Sequence, residues 1–529
     1  MLLSHFYQKV LVFSIWFVVN TTLIVASIVY SHYWYIFLVP LSLSTSFNCL
    51  SVILIVIKRI LEICIVPKKS TKSEYSKRSL AFIVPCYNEN ETELMNTFNS
   101  LKIQTDIETN KKMMFVVCDG RIRGSNSDMS TDNILKRIFS NDTVQHINFK
   151  NAYTTWTGEQ NNLEIICGTF ANTPFMVFIK DYNVGKRDSL VLIRSLIYNY
   201  SRGISNDTLS NEFESFFKNY IETVGIETFD YIIGTDADTV FDKDCTANLL
   251  KDIDWDPNTH GVVGFVHVAP EVPKWSLWSI YQFTEYIIAQ CLRRVQQSII
   301  TNKVSCLSGC VQILRVSEET SGEKILKAFN SCPPKDANVW RHILSFASED
   351  RNHVCLMLHM YPYVKTRQSL NAKSYTIVPT TLSVFRSQRR RWSLGATSND
   401  ILLVCKSGIN LYEKIGALFN VITYSLSLFI FVATILFYYS IFMHPSIMML
   451  YLSSVIFVPI LYEISIVIWF PFENKIDILR FLIGLVFYLL FGSIINILIC
   501  IYSLLNVDCF KWGKTRTTEP TEPTEPTTK

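Results

Sequence analysis

The sequence lacks the features that mark several classes of protein. None of its 14 cysteines forms a Cys-x-x-Cys pair, and Cys306 and Cys310 stand alone as a Cys-x3-Cys. A zinc knuckle is therefore not indicated, and reduced thiols in a cytosolic domain are the better interpretation. The net charge of +4 is small for 529 residues, so the sequence does not predict a general attraction to nucleic acid. Charged residues are missing altogether from residues 10–30 and 34–57.

These two uncharged runs predict N-terminal membrane-spanning helices. Apolar residues make up 49% of the chain and the mean hydropathy is positive, which is high for a soluble protein. Each run is long enough to cross a hydrocarbon core, which takes about 20 residues, and the first lacks the cleavage site of a signal peptide. Basic residues follow the second run, so the positive-inside rule places the N-terminus and everything after residue 58 in the cytosol. They are Lys58, Arg59, Lys68, Lys69 and Lys72.

Three more apolar runs, at residues 416–443, 447–470 and 481–506, predict a second membrane region. Five crossings would put the C-terminal segment outside, whereas Lys511, Lys514 and Arg516 favour the inside. We therefore expect one C-terminal run to be re-entrant or interfacial, or two short spans to be merged into one run. Glu463 is the one charged residue of the run 447–470. A carboxyl at membrane depth is costly, so we expect it to face protein or a product path, unless the run is interfacial.

The region between the two sets of apolar runs has the pattern of an α/β domain. Residues 79–94, 111–120 and 229–239 each begin with an apolar run and continue into small and acidic residues, which is typical of strands covered on both faces. Ligands bind beyond the carboxyl ends of such strands. Each polar residue alone is explained by a solvated turn or a helix cap, but four acidic ends on three strands favour a site. The residues at these ends are Tyr87, Asn88, Glu89, Asp119, Asp236 and Asp238.

The expected organisation has four parts. Residues 1–60 form two transmembrane helices, and residues 61–405 form a cytosolic domain with interfacial helices near its end. Residues 406–507 form the C-terminal transmembrane region. Residues 508–529 end in a Thr-Glu-Pro repeat that we expect to be disordered, because it has nothing to bury.

Several charged pairs suggest a particular chemistry. Asp236 and Asp238 lie two apart on an extended backbone, so both carboxylates can face one divalent cation that bridges substrate phosphates. Lys186 lies next to Arg187 behind a glycine, and the pair could bind the same diphosphate. Glu349 and Asp350 could supply a general base, or could simply begin a helix.

The run QRRRW at residues 388–392 has several interpretations. It could be a solvated basic loop or a nucleic-acid contact, but the modest net charge weakens the latter. Guanidinium groups also bind phosphate oxygens in a two-bond fork, and could stabilise a diphosphate leaving group. Trp392 offers a flat face for a sugar, although a tryptophan so near the membrane could also be an interface anchor.

Seven motifs occur in the order found in chitin synthases, which are processive members of glycosyltransferase family two. The resemblance runs from about residue 79 to residue 516, and QRRRW with GKRDS and a terminal WGKTR distinguishes chitin synthases from hyaluronan and cellulose synthases. The motifs are CDG (118–120), GKRDS (185–189), DADT (236–239), CLSGC (306–310), SEDR (348–351), QRRRW (388–392) and WGKTR (512–516).

The resemblance implies a GT-A-like glycosyltransferase domain with a largely parallel sheet, inserted between N-terminal and C-terminal transmembrane helices. It implies transfer of N-acetylglucosamine from UDP-N-acetylglucosamine to the 4-hydroxyl of a growing β-1,4 chitin polymer, with inversion, and passage of the polymer through the plasma membrane or an equivalent membrane. The implied cofactor is Mg²⁺ or Mn²⁺, and membrane lipid is a further partner. A homodimer is left open, and no nucleic acid is expected.

The resemblance also implies residue roles. Asp350 would be the general base, and Asp238 with Asp236 would bind the metal. Trp392, Cys310 and Glu349 would contact the acceptor. Trp512, Lys514 and Arg516 would cover the donor site. The implied donor-binding residues are Pro85, Tyr87, Glu89, Asp119, Lys186, Arg187, Asp236, Gln388 and Arg391.

Two departures from the family pattern and three alternatives remain. The family usually has glycine where this chain has Ser348, and proline where it has Ser308, which bears on how the acceptor fits. The chain could instead make hyaluronan or a short chito-oligosaccharide. It could also be an inactive membrane scaffold, but a scaffold has no need of Asp236, Asp238, Asp350 and QRRRW.

Overall fold

The computed structural model describes residues 2–30, 39–65, 77–124, 127–140, 144–443 and 446–510. Helices α1 (Leu2–Val29) and α2 (Val39–Ile65) precede an α/β domain. Its strands are β1 (Ser79–Cys86), β2 (Lys111–Cys118), β3 (Gln145–Thr154), β4 (Gln160–Phe170), β5 (Thr173–Lys180), β6 (Tyr231–Gly234), β7 (Thr239–Phe241), β8 (Thr259–Val268), β9 (Gln312–Arg315) and β10 (Lys365–Thr376).

Helices alternate with the strands along the chain, and a C-terminal set of helices comes after the last strand. The domain contains α3 (Glu91–Lys102), α4 (Thr131–Ile138), α5 (Lys186–Arg202), α6 (Asn211–Val224), α7 (Cys245–Ile253), α8 (Leu277–Ala289), α9 (Gln296–Ile300), α10 (Glu318–Ser321), α11 (Glu323–Phe329), α12 (Val339–Phe346), α13 (Glu349–Met360) and α14 (Leu382–Cys405). A π-helical segment, Gln290–Val295, joins α8 to α9. The C-terminal helices are α15 (Leu411–Ser425), α16 (Ser427–Met443), α17 (Ile447–Trp469) and α18 (Lys475–Leu505).

The strands form one mixed sheet in the order β3-β4-β5-β2-β1-β6-β9-β8-β10-β7. The four central strands, β5, β2, β1 and β6, are parallel, as their continuous apolar runs predict. Apart from the parallel pair β8 and β10, the flanks are antiparallel, so the expected parallel arrangement holds mainly for the centre. A two-residue turn with positive φ at Ala171 and Asn172 joins β4 to β5, and a link that short can connect only antiparallel strands.

Both faces of the sheet are covered, which confirms the α/β class. Phe115 and Val117 pack on one face with apolar residues of α5 and α6. Phe82 and Val116 pack on the other face with residues of α3, α4 and α7. Because β2, β1 and β6 are neighbours and run parallel, their acidic carboxyl ends meet at one edge of the sheet.

The apolar helices differ in two respects from the runs that the sequence predicts: the run 416–443 is broken, and within the run 447–470 only a shorter apolar helical segment of α17, Phe457–Trp469, is found among the described residues. Among the described residues, Ser4–Val29, Ser42–Leu61 and Lys475–Leu505 are long and apolar enough to cross a membrane. The run 416–443 is broken, since α15 and α16 meet at 83°, and this pair makes a fourth span if it counts as one. Asn20 of α1 stabilises the break, because its side chain donates to the Ser425 carbonyl (3.0 Å) and accepts from the Phe429 amide (2.9 Å). Backbone groups freed inside a bilayer need such a partner.

Contacts of the first and last described residues place both on the side of the domain. The His5 ring nitrogen lies 2.9 Å from the carbonyl oxygen of Ala337, just before α12. Lys9 forms an ion pair with Asp508 at 3.1 Å, beyond the end of α18. The start of α1 and the end of α18 therefore lie together against the domain. This agrees with the basic residues at 511–516, which favour the same side as the N-terminus.

Helix α18 touches the domain at both of its ends. Glu473, just before the helix, accepts a hydrogen bond from Tyr375 of β10. After the helix, the Arg390 guanidinium donates to the carbonyl of Asn506 (2.8 Å). Both ends of this helix therefore contact the domain, although the helix is long and apolar enough to cross a membrane.

Candidate active site

The carboxyl ends of β1 and β2 bring the first group of predicted donor residues together. The Glu89 carboxylate accepts hydrogen bonds from the amides of Tyr87 (2.6 Å) and Asn88 (3.1 Å), so it stabilises its own turn. Asp119 is 2% exposed and forms an ion pair with Lys180. Burial raises the pKa of the half-buried Tyr87, so its hydroxyl stays protonated.

Asp236 and Asp238 follow β6 and lie on one face of the chain. Ala237 between them is buried, whereas both aspartates are half-buried. The backbone here is not extended as expected, because residues 237 and 238 form a turn that the Thr239 amide closes by donating to the Asp236 carbonyl (3.1 Å). Lys186, the first residue of α5, forms ion pairs with Asp236 and with Glu349, the latter at 3.1 Å. Burial alone would lower the pKa of Lys186, but the two carboxylates outweigh it and raise the pKa well above its usual value. The lysine therefore stays charged.

The start of α13 carries Glu349 and Asp350 in two different environments. Burial would raise the pKa of Glu349, but the charges of Lys186 and Arg391 outweigh it and hold the pKa below its usual value. Burial and the neighbouring charge of Glu349 raise the pKa of Asp350. Two adjacent carboxyls whose pKa values are pushed apart suit different roles, one as a fixed charge and one as a proton acceptor.

Ser348 precedes α13 with φ 53°, in the left-handed region where glycine is favoured. This conformation explains why the family usually has glycine at this position. In this chain the backbone of Ser348 is strained. Ser348 also packs against Gly395 of α14 so closely that a Cβ on the glycine would lie 2.1 Å from the serine Oγ.

The three consecutive arginines have three different environments. Arg389 is buried in an ion pair with Glu285 of α8. Arg390 donates to two carbonyls beyond the end of α18. Arg391 is half-buried near Glu349, and its Nε has no hydrogen-bond partner among the described residues. Of the three arginines of the QRRRW motif, Arg391 is therefore the one that faces the carboxylates of Asp236, Glu349 and Asp350.

Trp392 and Gln388 flank these arginines. The Arg389 guanidinium lies 4.3 Å from the Trp392 ring centroid, and the Tyr286 ring lies 5.8 Å away. The Trp392 side chain is nevertheless 41% exposed. A ring that is held on one face and open on the other suits a sugar platform and also an interface anchor. The side-chain amide oxygen of Gln388 accepts a hydrogen bond from the Arg389 guanidinium.

Arg187, predicted to line the donor site, is buried inside the domain. Its guanidinium donates to the carbonyls of Phe329 (2.7 Å) and Leu344 (2.9 Å) and to the Asn352 side chain (3.1 Å). These contacts tie α5 to α11, α12 and α13. Lys186 is therefore the basic residue of the GKRDS motif that reaches Asp236.

The two thiols of the CLSGC motif contact different carboxylates, one after β6 and one at the start of α13. Cys310 donates to Asp236 at 3.2 Å, and Cys306 lies 3.8 Å from Asp350. Arg294, in the π-helical segment, donates to the Cys306 sulfur at 3.5 Å. The cysteines among the described residues are unpaired thiols, as expected.

Three charged residues at the site were not singled out by any sequence motif: Lys180, Glu285 and Arg294. Lys180 left a signal, because it ends an otherwise apolar strand. For Glu285 and Arg294 the sequence gives no such signal, because they lie in consecutive helical segments without a recognisable motif. The predicted cover residues Trp512, Lys514 and Arg516, and the tail that follows, lie outside the described residues.

The sequence comparisons with known proteins agree on one family. Among solved structures, the mannosyltransferase PcManGT from Pyrobaculum calidifontis, in complex with GDP-Man and Mn2+, aligns over 85% of this chain and 98% of its own, at 11% identity and a TM-score of 0.41. The family assignment rests instead on sequence. "Chitin synthase 8" of Gibberella zeae is 35% identical over 512 residues, covering 94% of this chain and 76% of the relative. "Chitin synthase 8" of Verticillium dahliae is 32% identical over 437 residues, covering 76% of this chain and 70% of the relative. Residues 52–528 match the family model described as Chitin synthase, and the chain therefore belongs to the chitin synthase family.

Proposed function

We propose that this chain polymerises N-acetylglucosamine from UDP-N-acetylglucosamine into β-1,4-linked chitin, with Asp350 as the general base. The observation that carries the proposal is the arrangement at the start of α13. Glu349 is held ionised by Lys186, while the neighbouring Asp350 has a raised pKa. A carboxylate with a raised pKa is a stronger proton acceptor than one with the usual pKa.

These residues account for the proton, the bond formed and the bond broken in the transfer step. Asp350 takes the proton of the acceptor 4-hydroxyl as that oxygen attacks C1 of the donor sugar. The bond between C1 and the diphosphate oxygen breaks, its electron pair leaves with UDP, and the configuration at C1 inverts. Cys306 lies 3.8 Å from Asp350 and helps to orient the carboxyl.

The diphosphate end of the donor is assigned to Lys186 and Arg391, with Gln388 beside them. Both cations lie next to Asp236 or Glu349 before any ligand binds. Negative charge that develops on the leaving group is stabilised by positive groups already in place. Arg187 packs behind Lys186 and holds the start of α5.

The residues after β6 fit a divalent cation, Mg²⁺ or Mn²⁺, that keeps part of its water shell. Asp236 and Asp238 present two half-buried carboxylates on one face, and hard cations of this kind often take only one or two protein carboxylates plus substrate phosphates. When bound, the cation would neutralise charge on the diphosphate.

We assign the remaining residues by the chitin synthase motifs to which they belong. Pro85, Tyr87 and Glu89 form the turn that would contact the uridine, with Asp119 behind it. Trp392 would stack on the acceptor sugar, near Cys310 and Glu349. Trp512, Lys514 and Arg516 are proposed to cover the donor site.

We further propose that the domain faces the cytosol and that the polymer leaves through the apolar helices. The basic residues after α2 support this orientation by the positive-inside rule. Membrane lipid is then the partner of the exposed apolar faces of these helices. Glu463 is 7% exposed, so its carboxyl faces protein rather than lipid, as expected from its cost at membrane depth.

The experiment that tests this function uses membranes that contain the full chain. They are incubated with radiolabelled UDP-N-acetylglucosamine and Mg²⁺ or Mn²⁺, and the insoluble product is digested with chitinase. We expect a labelled insoluble polymer that chitinase releases. A product that forms only when UDP-glucuronic acid is added would indicate a hyaluronan synthase, and a soluble chitinase-sensitive product a chito-oligosaccharide synthase. Failure to transfer or hydrolyse any UDP-sugar would support the scaffold.

A further inference from the structure

Lys180 is a fully buried cation at the end of β5. Its side chain is 0% exposed and its ammonium group forms ion pairs with Asp119 at 3.0 Å and with Asp188 at 2.7 Å. Strands β2 and β5 are parallel neighbours in which Cys118 pairs with Ile179, so Asp119 and Lys180 are the next residues in register. Burial of a lysine is costly unless it is paired, so a lysine at this position needs a reason.

One arm of this ion-pair cluster shapes the turn before α5. The two oxygens of Asp119 accept hydrogen bonds from the amides of Val184 (3.1 Å) and Gly185 (2.8 Å). The turn also lies against the glycine of the CDG motif, since a Cβ on Gly120 would lie 2.8 Å from the Asn183 nitrogen. The residue that follows this turn is Lys186. Asp119 is therefore engaged with the backbone that presents Lys186.

The other arm holds the first turn of α5 from the opposite direction. The Asp188 carboxylate accepts from the Tyr153 hydroxyl (2.7 Å) and from the Trp156 amide (3.0 Å), besides its pair with Lys180. Burial and the charge of Asp188 raise the pKa of Tyr153, so the phenol remains a donor. Lys186 thus lies between two segments that one buried ammonium group joins.

We propose that Lys180 is a positioning residue for the donor diphosphate, acting through Asp119 and Asp188 to fix the place of Lys186. The inference rests on the proposed function, in which Lys186 contacts the diphosphate. If Lys180 only balanced the buried charges of Asp119 and Asp188, the protein would need it for stability alone. A cation that positions Lys186 is needed for binding of UDP as well, because UDP keeps the diphosphate.

The test separates charge balance from positioning by a charge-matched variant. Lys180→Met combined with Asp188→Asn leaves the cluster with its wild-type net charge but removes the bridge between its two arms. The full chain, purified in detergent, is assayed for thermal unfolding, for equilibrium binding of UDP with Mg²⁺, and for kcat and KM of polymer synthesis. We expect some loss of thermal stability, because Asp119 loses its buried cation, and about tenfold or greater loss of UDP affinity per folded molecule, the size expected when a charged hydrogen bond is misplaced. Tyr153→Phe, which leaves both ion pairs in place, should stay within about threefold of wild type.

A second variant tests whether the effect passes through Lys186. In a Lys186→Met background the charge-matched pair should weaken UDP binding little further, because residues that act as a unit are not additive. Wild-type UDP affinity in the charge-matched variant, or full additivity with Lys186→Met, would overturn the positioning role. A wild-type chain that binds no UDP would overturn both this inference and the proposed function.

Discussion

The contact between Gly395 and Ser348 gives the sharpest prediction, for the variant Gly395→Ala. The new Cβ would lie 2.1 Å from the Ser348 Oγ and 2.6 Å from its Cβ. Ordinary contacts between such atoms are about 3.5–4.0 Å. The start of α13 would have to move by more than about 1 Å, and overpacking of this kind costs about 1–3 kcal/mol. Because that turn carries Glu349 and Asp350, a shift of about 1 Å should also lower kcat/KM by about 100-fold.

A compensating substitution tests whether this contact is the cause. Ser348→Gly removes both clashing atoms and relieves the left-handed φ of 53°, worth about 1 kcal/mol, against about 0.4–1 kcal/mol of added chain entropy in the unfolded state. The single variant should therefore be close to neutral, and the double variant should recover most of the stability and activity. The assays are thermal unfolding in detergent and polymer synthesis per folded molecule. Gly492→Ala is the matched control, since its Cβ would meet atoms no nearer than 3.7 Å. Wild-type behaviour of Gly395→Ala, or no recovery in the double variant, would refute the reasoning.

The remaining predictions concern single residues. Asp350→Asn should lower polymer synthesis by about 10²- to 10⁴-fold with UDP binding retained, and near-normal turnover in this variant would assign the general base to Glu349 instead. In the wild type, activity should fall as the pH drops through the raised pKa of Asp350, because the base must be unprotonated. Asp238→Asn should weaken metal-dependent UDP binding, with partial rescue by excess Mn²⁺, and a metal-independent enzyme would contradict this role. Trp392→Phe should be tolerated, whereas Trp392→Ala should fold and bind UDP but make little polymer; loss of membrane stability with normal activity would indicate an interface anchor instead. Glu463→Leu should reduce expression or activity, and full retention of both would remove the need for a buried carboxyl there.

Much of the site's frame could be predicted from local sequence. The strands before Glu89, Asp119 and Asp236 are continuous apolar runs, and a buried parallel strand has little choice but to expose the residues after its carboxyl end. The apolar runs likewise predict helices because hydrogen bonds within the helix satisfy the backbone in lipid. The antiparallel flanks were not anticipated, since the pairing partner of a strand depends on distant segments.

What the sequence by itself determined about this protein is its family, its α/β core, its apolar helices and the set of carboxylates and cations at one sheet edge. Only the tertiary structure decided which of these groups are free to bind a ligand. Arg389, Arg390 and Arg391 are identical in sequence terms, but successive residues of an α-helix point about 100° apart. One therefore meets Glu285, one meets the end of α18 and one faces Glu349. The contacts of the two ends of α18 with the domain were decided in the same way, because they join residues 98 and 116 positions apart in the chain.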